Sequence, residues 1–102
     1  MRRLLPLLLL AGCAAQLSEQ QLHTYPDARG MPAAVQAFIV RYEGCQHFAG
    51  EEPYDEERRR FLAKNIDALC PGIDALAARL RARYRDDPAV SARLARYEAI
   101  GT

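Results

Sequence analysis

Apolar positions along this chain follow two regimes. Leu4 to Leu10 is a continuous apolar run broken only by Pro6, with no polar alternation to define a soluble face. Beyond Gly30 the apolar residues instead recur at three- and four-residue spacing, the mark of a single buried helix face. Val35, Phe38, Ile39 and Tyr42 make the first such stripe, after Pro32, which suits the opening of a helix. Gly44 is expected to end this helix or loosen its last turn. Gly50 and Pro53 mark a connection. Asp55 then caps a second helix, with Glu56 and Glu57 in the first turn, where the helix dipole favours acids. Phe61, Leu62, Ile66 and Leu69 are its apolar side, and Pro71-Gly72 breaks it. A third helix carries Ile73, Leu76, Leu80 and Tyr84. Asp87-Pro88 opens a fourth with Val90, Leu94, Tyr97 and Ile100. No segment alternates long enough for a strand. The pattern predicts an all-α fold, a small bundle of about four helices.

Between these regimes lies Ala14 to Gly30, polar and poor in large apolar residues. It reads as a mostly flexible tether, with room for a short helix around Leu17 to Leu22. The expected organisation is a leader over 1–12, a tether over 13–30 and a helical domain over 31–102. With 102 residues in all, the chain holds one domain at most.

The N-terminus changes the picture. Arg2 and Arg3, the short apolar run and the small residues after it make the pattern of an export signal. The run is too short for a permanent membrane helix, which needs about 20 residues. Leu10-Ala11-Gly12-Cys13 resembles the lipobox of bacterial lipoproteins. That resemblance implies a lipid on Cys13, which becomes the first mature residue and anchors the protein in a membrane. Ala14 follows, where an Asp would imply retention at the inner membrane. Its absence implies the outer membrane, at the periplasmic face.

Lipidation also bears on the odd count of three cysteines. With Cys13 acylated, Cys45 and Cys70 remain, and two cysteines in an oxidising compartment are most simply a disulfide. The bond closes a loop between the ends of the first two helices, worth about 3 kcal/mol in the chain-entropy picture. A small core benefits from such a staple.

Charge excludes one class of function. The mature segment has 12 basic residues, the 14 of the chain less Arg2 and Arg3, against 13 acidic. Such balance argues against a dedicated nucleic-acid binder. The distribution is uneven, however. Glu43 to Glu57 holds 6 acidic and no basic residues, whereas Arg58 onward holds 10 basic and 5 acidic. Arg79 and Arg83 flank one side of the third helix's apolar stripe, and Arg81 and Arg85 the other. Long Arg stems extend the apolar cover while their charges reach water. The four arginines are a candidate surface for anionic lipid or an acidic partner.

The densest chemistry lies between Cys45 and Arg58. Cys45-x-His47-Phe48, then Gly50-Glu51-x-x-Tyr54-Asp55-x-Glu57-Arg58, then Cys70 at a helix end, resembles a pattern of small exported bacterial proteins. No activity comes with that resemblance. His47, Glu51 and Asp55 are candidates for a metal or for acid–base work. The competing expectation is that His47 packs on the disulfide while the acids cap the second helix. No paired zinc spacing and no calcium-loop spacing is present. Tyr54 is expected to pin its loop to the core, and Asp55 to pair with Arg58 or Arg59. Ser18, Thr24, Ser91 and Thr102 are the mature hydroxyls, none in a nucleophile setting. There is no Gly-rich phosphate loop. These readings favour a non-enzymatic accessory lipoprotein without a cofactor, bound to the membrane and to an envelope protein. The alternatives are a metal or hydrolytic site at His47, Glu51 and Asp55, or a small periplasmic enzyme inhibitor.

Overall fold

The computed structural model describes residues 15–102. The expected leader over 1–12 and the lipobox-like segment, Cys13 included, lie outside the described residues. The elements are α1 (Glu19–Thr24), a 3₁₀ turn (Pro26–Ala28), α2 (Ala33–Ala49), α3 (Glu56–Leu69), α4 (Ile73–Arg83) and α5 (Pro88–Leu94). The fold is all-α, a small helical bundle with no strand among the described residues. None of its helices is long and apolar enough to cross a membrane, among those residues.

Helix α2 is the axis on which the rest packs. Its stripe of Val35, Phe38 and Ile39 is fully buried, and α3, α4 and the 3₁₀ turn lie against it. From the neighbouring elements, Leu62, Ile73, Ala77, Leu80, Val90 and Leu94 complete the interior. Local chemistry starts the helices as expected. Asp55 Oδ1 accepts from Arg58 N at 2.8 Å, and Asp87 Oδ1 accepts from Val90 N at 3.1 Å. Each bond satisfies one of the amides that a helix N-terminus leaves without a partner. Between α3 and α4, Gly72 takes a φ of +80°, a left-handed conformation that costs a side-chain-bearing residue energy. Arg41 of α2 locks that corner. Its Nε donates to Leu69 O at 2.8 Å, and its Nη2 donates to Pro71 O.

Cys45 and Cys70 form a disulfide, with Cα atoms 5.1 Å apart. It ties the C-terminal half of α2 to the end of α3. Gly44 does not end α2, which continues to Ala49. Its role is proximity: a Cβ there would stand 3.1 Å from Leu69 Cδ1. The glycine lets α3 approach where the disulfide crosses.

Two expected boundaries move. The flexible tether does not extend to residue 30. Ser18 caps α1 in a reciprocal box with Gln21. Leu17 N donates to Oε1 of the buried Gln36 at 2.8 Å, and Ala28 is wholly buried. Asp27 anchors the segment from the far end of the sequence. Its carboxylate accepts from Tyr97 Oη at 3.0 Å and from Arg96 Nη1 at 3.0 Å, and its carbonyl accepts from Arg93. A buried amide needs a partner, and the segment supplies one. The domain therefore begins near Leu17.

The last helix is shorter than its apolar spacing suggests. α5 ends at Leu94, so Tyr97 and Ile100 lie beyond it. Tyr97 turns inward, edge-on to Phe38 at 5.7 Å and to Tyr42 at 5.0 Å. The tail then runs back to α4, where Asp74 accepts from the amides of Ile100, Gly101 and Thr102 at 2.8–3.0 Å. Those three amides hold the Asp74 carboxyl below its usual range, the Ile100 bond contributing most.

Candidate functional site

The candidate site is the end of the α2–α3 hairpin, where the acidic stretch of the sequence crosses from one helix to the other. Here Glu51 and Arg58 form a forked ion pair, Nε–Oε2 at 2.5 Å and Nη2–Oε1 at 2.7 Å. Arg58's hydrogen bonds hold Glu51 below the usual carboxylate range; its charge and that of His47 add to the effect. The fork fixes the guanidinium plane. That plane lies over the Phe61 ring at 4.7 Å and nearer the edge of reach of Tyr54 at 6.0 Å. Phe61 meets Phe48 at 5.8 Å, and Phe48 meets His47 at 5.2 Å, both edge to face.

These rings are not core. Tyr54 is 78% exposed and Phe61 45% exposed. Tyr54 thus does not pin its loop to the interior, and His47 is exposed. A concavity of about 220 Å³ is lined by Tyr54, Asp55, Glu57, Arg58 and Phe61. A second, of about 380 Å³, is lined by Thr24, Tyr25, Glu43, Gly44, His47 and Phe48. The Phe48–Phe61 contact joins the two.

Comparison with family models, curated proteins and solved structures finds no match for this chain.

The candidate metal or acid–base residues do not converge. Glu51 is held by Arg58, and Asp55 by the amide that it caps. No three His, Cys, Asp or Glu side chains group as ligands among the described residues. Asp55 pairs with neither Arg58 nor Arg59; Arg59 pairs with Glu56. Three of the four Ser and Thr side chains among the described residues are occupied by backbone. Ser18 Oγ accepts from Gln21 N, Thr24 Oγ1 donates to Gln20 O, and Ser91 Oγ donates to Tyr84 O.

The arginine surface of α4 loses one member. Arg81 Nη2 donates to Leu94 O and Tyr97 O, taking up carbonyls left free where α5 ends. Arg79, Arg83 and Arg85 stay exposed and form no ion pair among the described residues, and Arg83 lies over Tyr84 at 5.1 Å.

Local spacing marks neither Glu43 nor Tyr25 as a site residue. Glu43 lies within 3.5 Å of the Tyr97 hydroxyl, and burial together with the Asp27 charge pushes its carboxyl up. The same hydroxyl is pushed above the usual tyrosine range by burial and by its bond to Asp27. Nothing local marks Glu43, because Asp27 and Tyr97 come from distant parts of the chain.

Proposed function

We propose that this chain is a lipid-anchored bacterial envelope protein that works without catalysis, docking a protein partner through the exposed end of its α2–α3 hairpin. The observation that carries this reading is the contrast at that end between rigidity and exposure. A disulfide, a forked ion pair and a helix cap hold the hairpin. Yet Tyr54 and Phe61 stand in solvent. Fixed exposed aromatics lose little entropy on association and are over-represented among residues that dominate interfaces.

The lipobox-like Leu10-Ala11-Gly12-Cys13 supports the anchor. The Cys45–Cys70 bond supports an oxidising compartment, because structural disulfides are rare where glutathione keeps thiols reduced. Ala14 after the cysteine favours the outer membrane. Folded residues begin near Leu17, so the link from Cys13 to the domain is short, and the domain sits close to the membrane surface.

A photo-crosslinking phenylalanine analogue in place of Tyr54, irradiated in living cells, tests the docking. The expected product is one discrete adduct on gels of the membrane fraction, lost when Phe61→Ala is added. No adduct at position 54, or the same ladder when the analogue replaces Ala78 on α4, would overturn the reading.

A further inference from the structure

We infer that the concavity between α1 and the C-terminal half of α2 receives a lysine or arginine side chain from a basic segment of the docked protein. This rests on the docking reading and names the chemistry of its partner. The site is built from both sides. Tyr25 comes from the turn after α1, and Glu43, His47 and Phe48 from α2. Two aromatic rings beside a carboxylate suit an organic cation: the ring faces attract positive charge, and the carboxylate completes the pairing.

Glu43 is open to such a partner. It makes no ion pair among the described residues, and its one hydrogen-bond neighbour, the Tyr97 hydroxyl, stands at 3.5 Å. The neighbouring Asp27 is already met by Arg96 at 3.0 Å. Glu43 thus carries its charge beside a like charge, without a cation of its own.

Charge across the whole end agrees. Of the six acids from Glu43 to Glu57, only Glu51 and Glu56 are in ion pairs. Glu43, Glu52, Asp55 and Glu57 are left to define the field. Glu43 lines one concavity, and Asp55 and Glu57 line the other. A segment that places a basic side chain against Glu43 lies near four carboxylates without ion pairs, while the one cation on its path, Arg58 over Phe61, is already paired with Glu51. An acidic segment would meet like charge at Glu43.

The test titrates the mature chain, in an uncharged detergent, with acetyl-trilysine amide and with spermidine, a free polyamine of matched charge. Amide chemical shifts are followed by NMR. The peptide is expected to bind saturably, shifting Gly44, His47 and Phe48. Glu43→Gln is expected to weaken it at least about tenfold. Phe48→Leu, which keeps bulk but removes the ring, weakens it severalfold, and Glu52→Gln changes it less than about twofold. Equal losses from Glu43→Gln and Glu52→Gln would overturn the inference, because only diffuse charge would then be at work. Spermidine binding as tightly as the peptide, with the same dependence on Glu43, would overturn the protein segment as occupant. A discrete adduct at position 54 together with no peptide binding up to about 1 mM would remove the basic side chain and leave the docking reading standing.

Discussion

The middle of α2 and its hairpin end use aromatic residues in opposite ways. Toward the middle of the helix, Phe38, Tyr42 and Tyr97 form an edge-to-face trio whose hydroxyls are committed: Tyr42 Oη donates to Glu98 O at 2.8 Å, and Tyr97 Oη to Asp27. Phe38 is 1% exposed there. At the hairpin end, Phe48, Phe61 and Tyr54 touch each other or Arg58 but have no second layer above them. The difference is one of coverage. N-terminal segment and C-terminal tail both fold back over the first trio. The second is steadied from the side by Arg58, itself fixed by Glu51. One trio holds the chain together, and the other is free to hold something else.

The comparison breaks most visibly under truncation. Phe38→Ala leaves a cavity in the bundle and is expected to lower stability by about 3–5 kcal/mol in urea unfolding. Phe61→Ala should lower it by no more than about 0.5 kcal/mol, while removing the photo-adduct at position 54. A large loss of stability from Phe61→Ala would make that ring part of the core. Next comes the staple. Replacing Cys45 and Cys70 together by Ser should cost about 3 kcal/mol, read from the same unfolding curves under non-reducing conditions. Tyr97→Phe removes one hydroxyl and leaves Asp27 a partner short, for an expected loss of about 1–2 kcal/mol.

The smallest effect is a pH dependence of opposite sign at Glu51 and Glu43. Glu51 is held below its ordinary value of 4.5, first by its hydrogen bonds to Arg58. Its contribution is therefore present above about pH 4.5 and fades as pH falls through the lower folded value. Glu43 is raised above 4.5 by burial and by Asp27. Folding disfavours its charged form relative to the unfolded chain, so its effect on stability worsens as pH rises from about 4.5 through the raised value. Glu43→Gln should then stabilise the protein by a few tenths of a kcal/mol at pH 7, with the gain gone near pH 4, once solvent screening is counted. Urea midpoints at the two pH values check this, and a variant less stable at pH 7 would contradict the sign.

Much of this arrangement is legible in the sequence, and its gaps have physical causes. Helix starts at Asp55 and Asp87 depend on contacts three residues away, and the buried stripe of α2 on one period of one helix. Those are local rules, and the structure follows them. Phe61 reads as core by composition, but it sits one residue, about 100°, from Leu62 around the helix. Leu62, Ile66 and Leu69 share the inward direction, which leaves Phe61 at the edge. Gly44 reads as a helix end only until Leu69 is placed beside it. Arg81, Asp27 and Asp74 are surface charges in the sequence; in the fold each binds backbone or side chains 13 to 70 positions away. Such partners are set by topology and leave no mark in local spacing.

The most direct measurement is the intact mass of the protein taken from native membranes, alkylated before any reductant is added. The expected mass is that of a chain starting at Cys13, carrying a diacylglyceryl group, with neither Cys45 nor Cys70 alkylated. A chain that keeps Met1, bears no lipid and takes alkyl groups on its cysteines would overturn both the anchor and the staple.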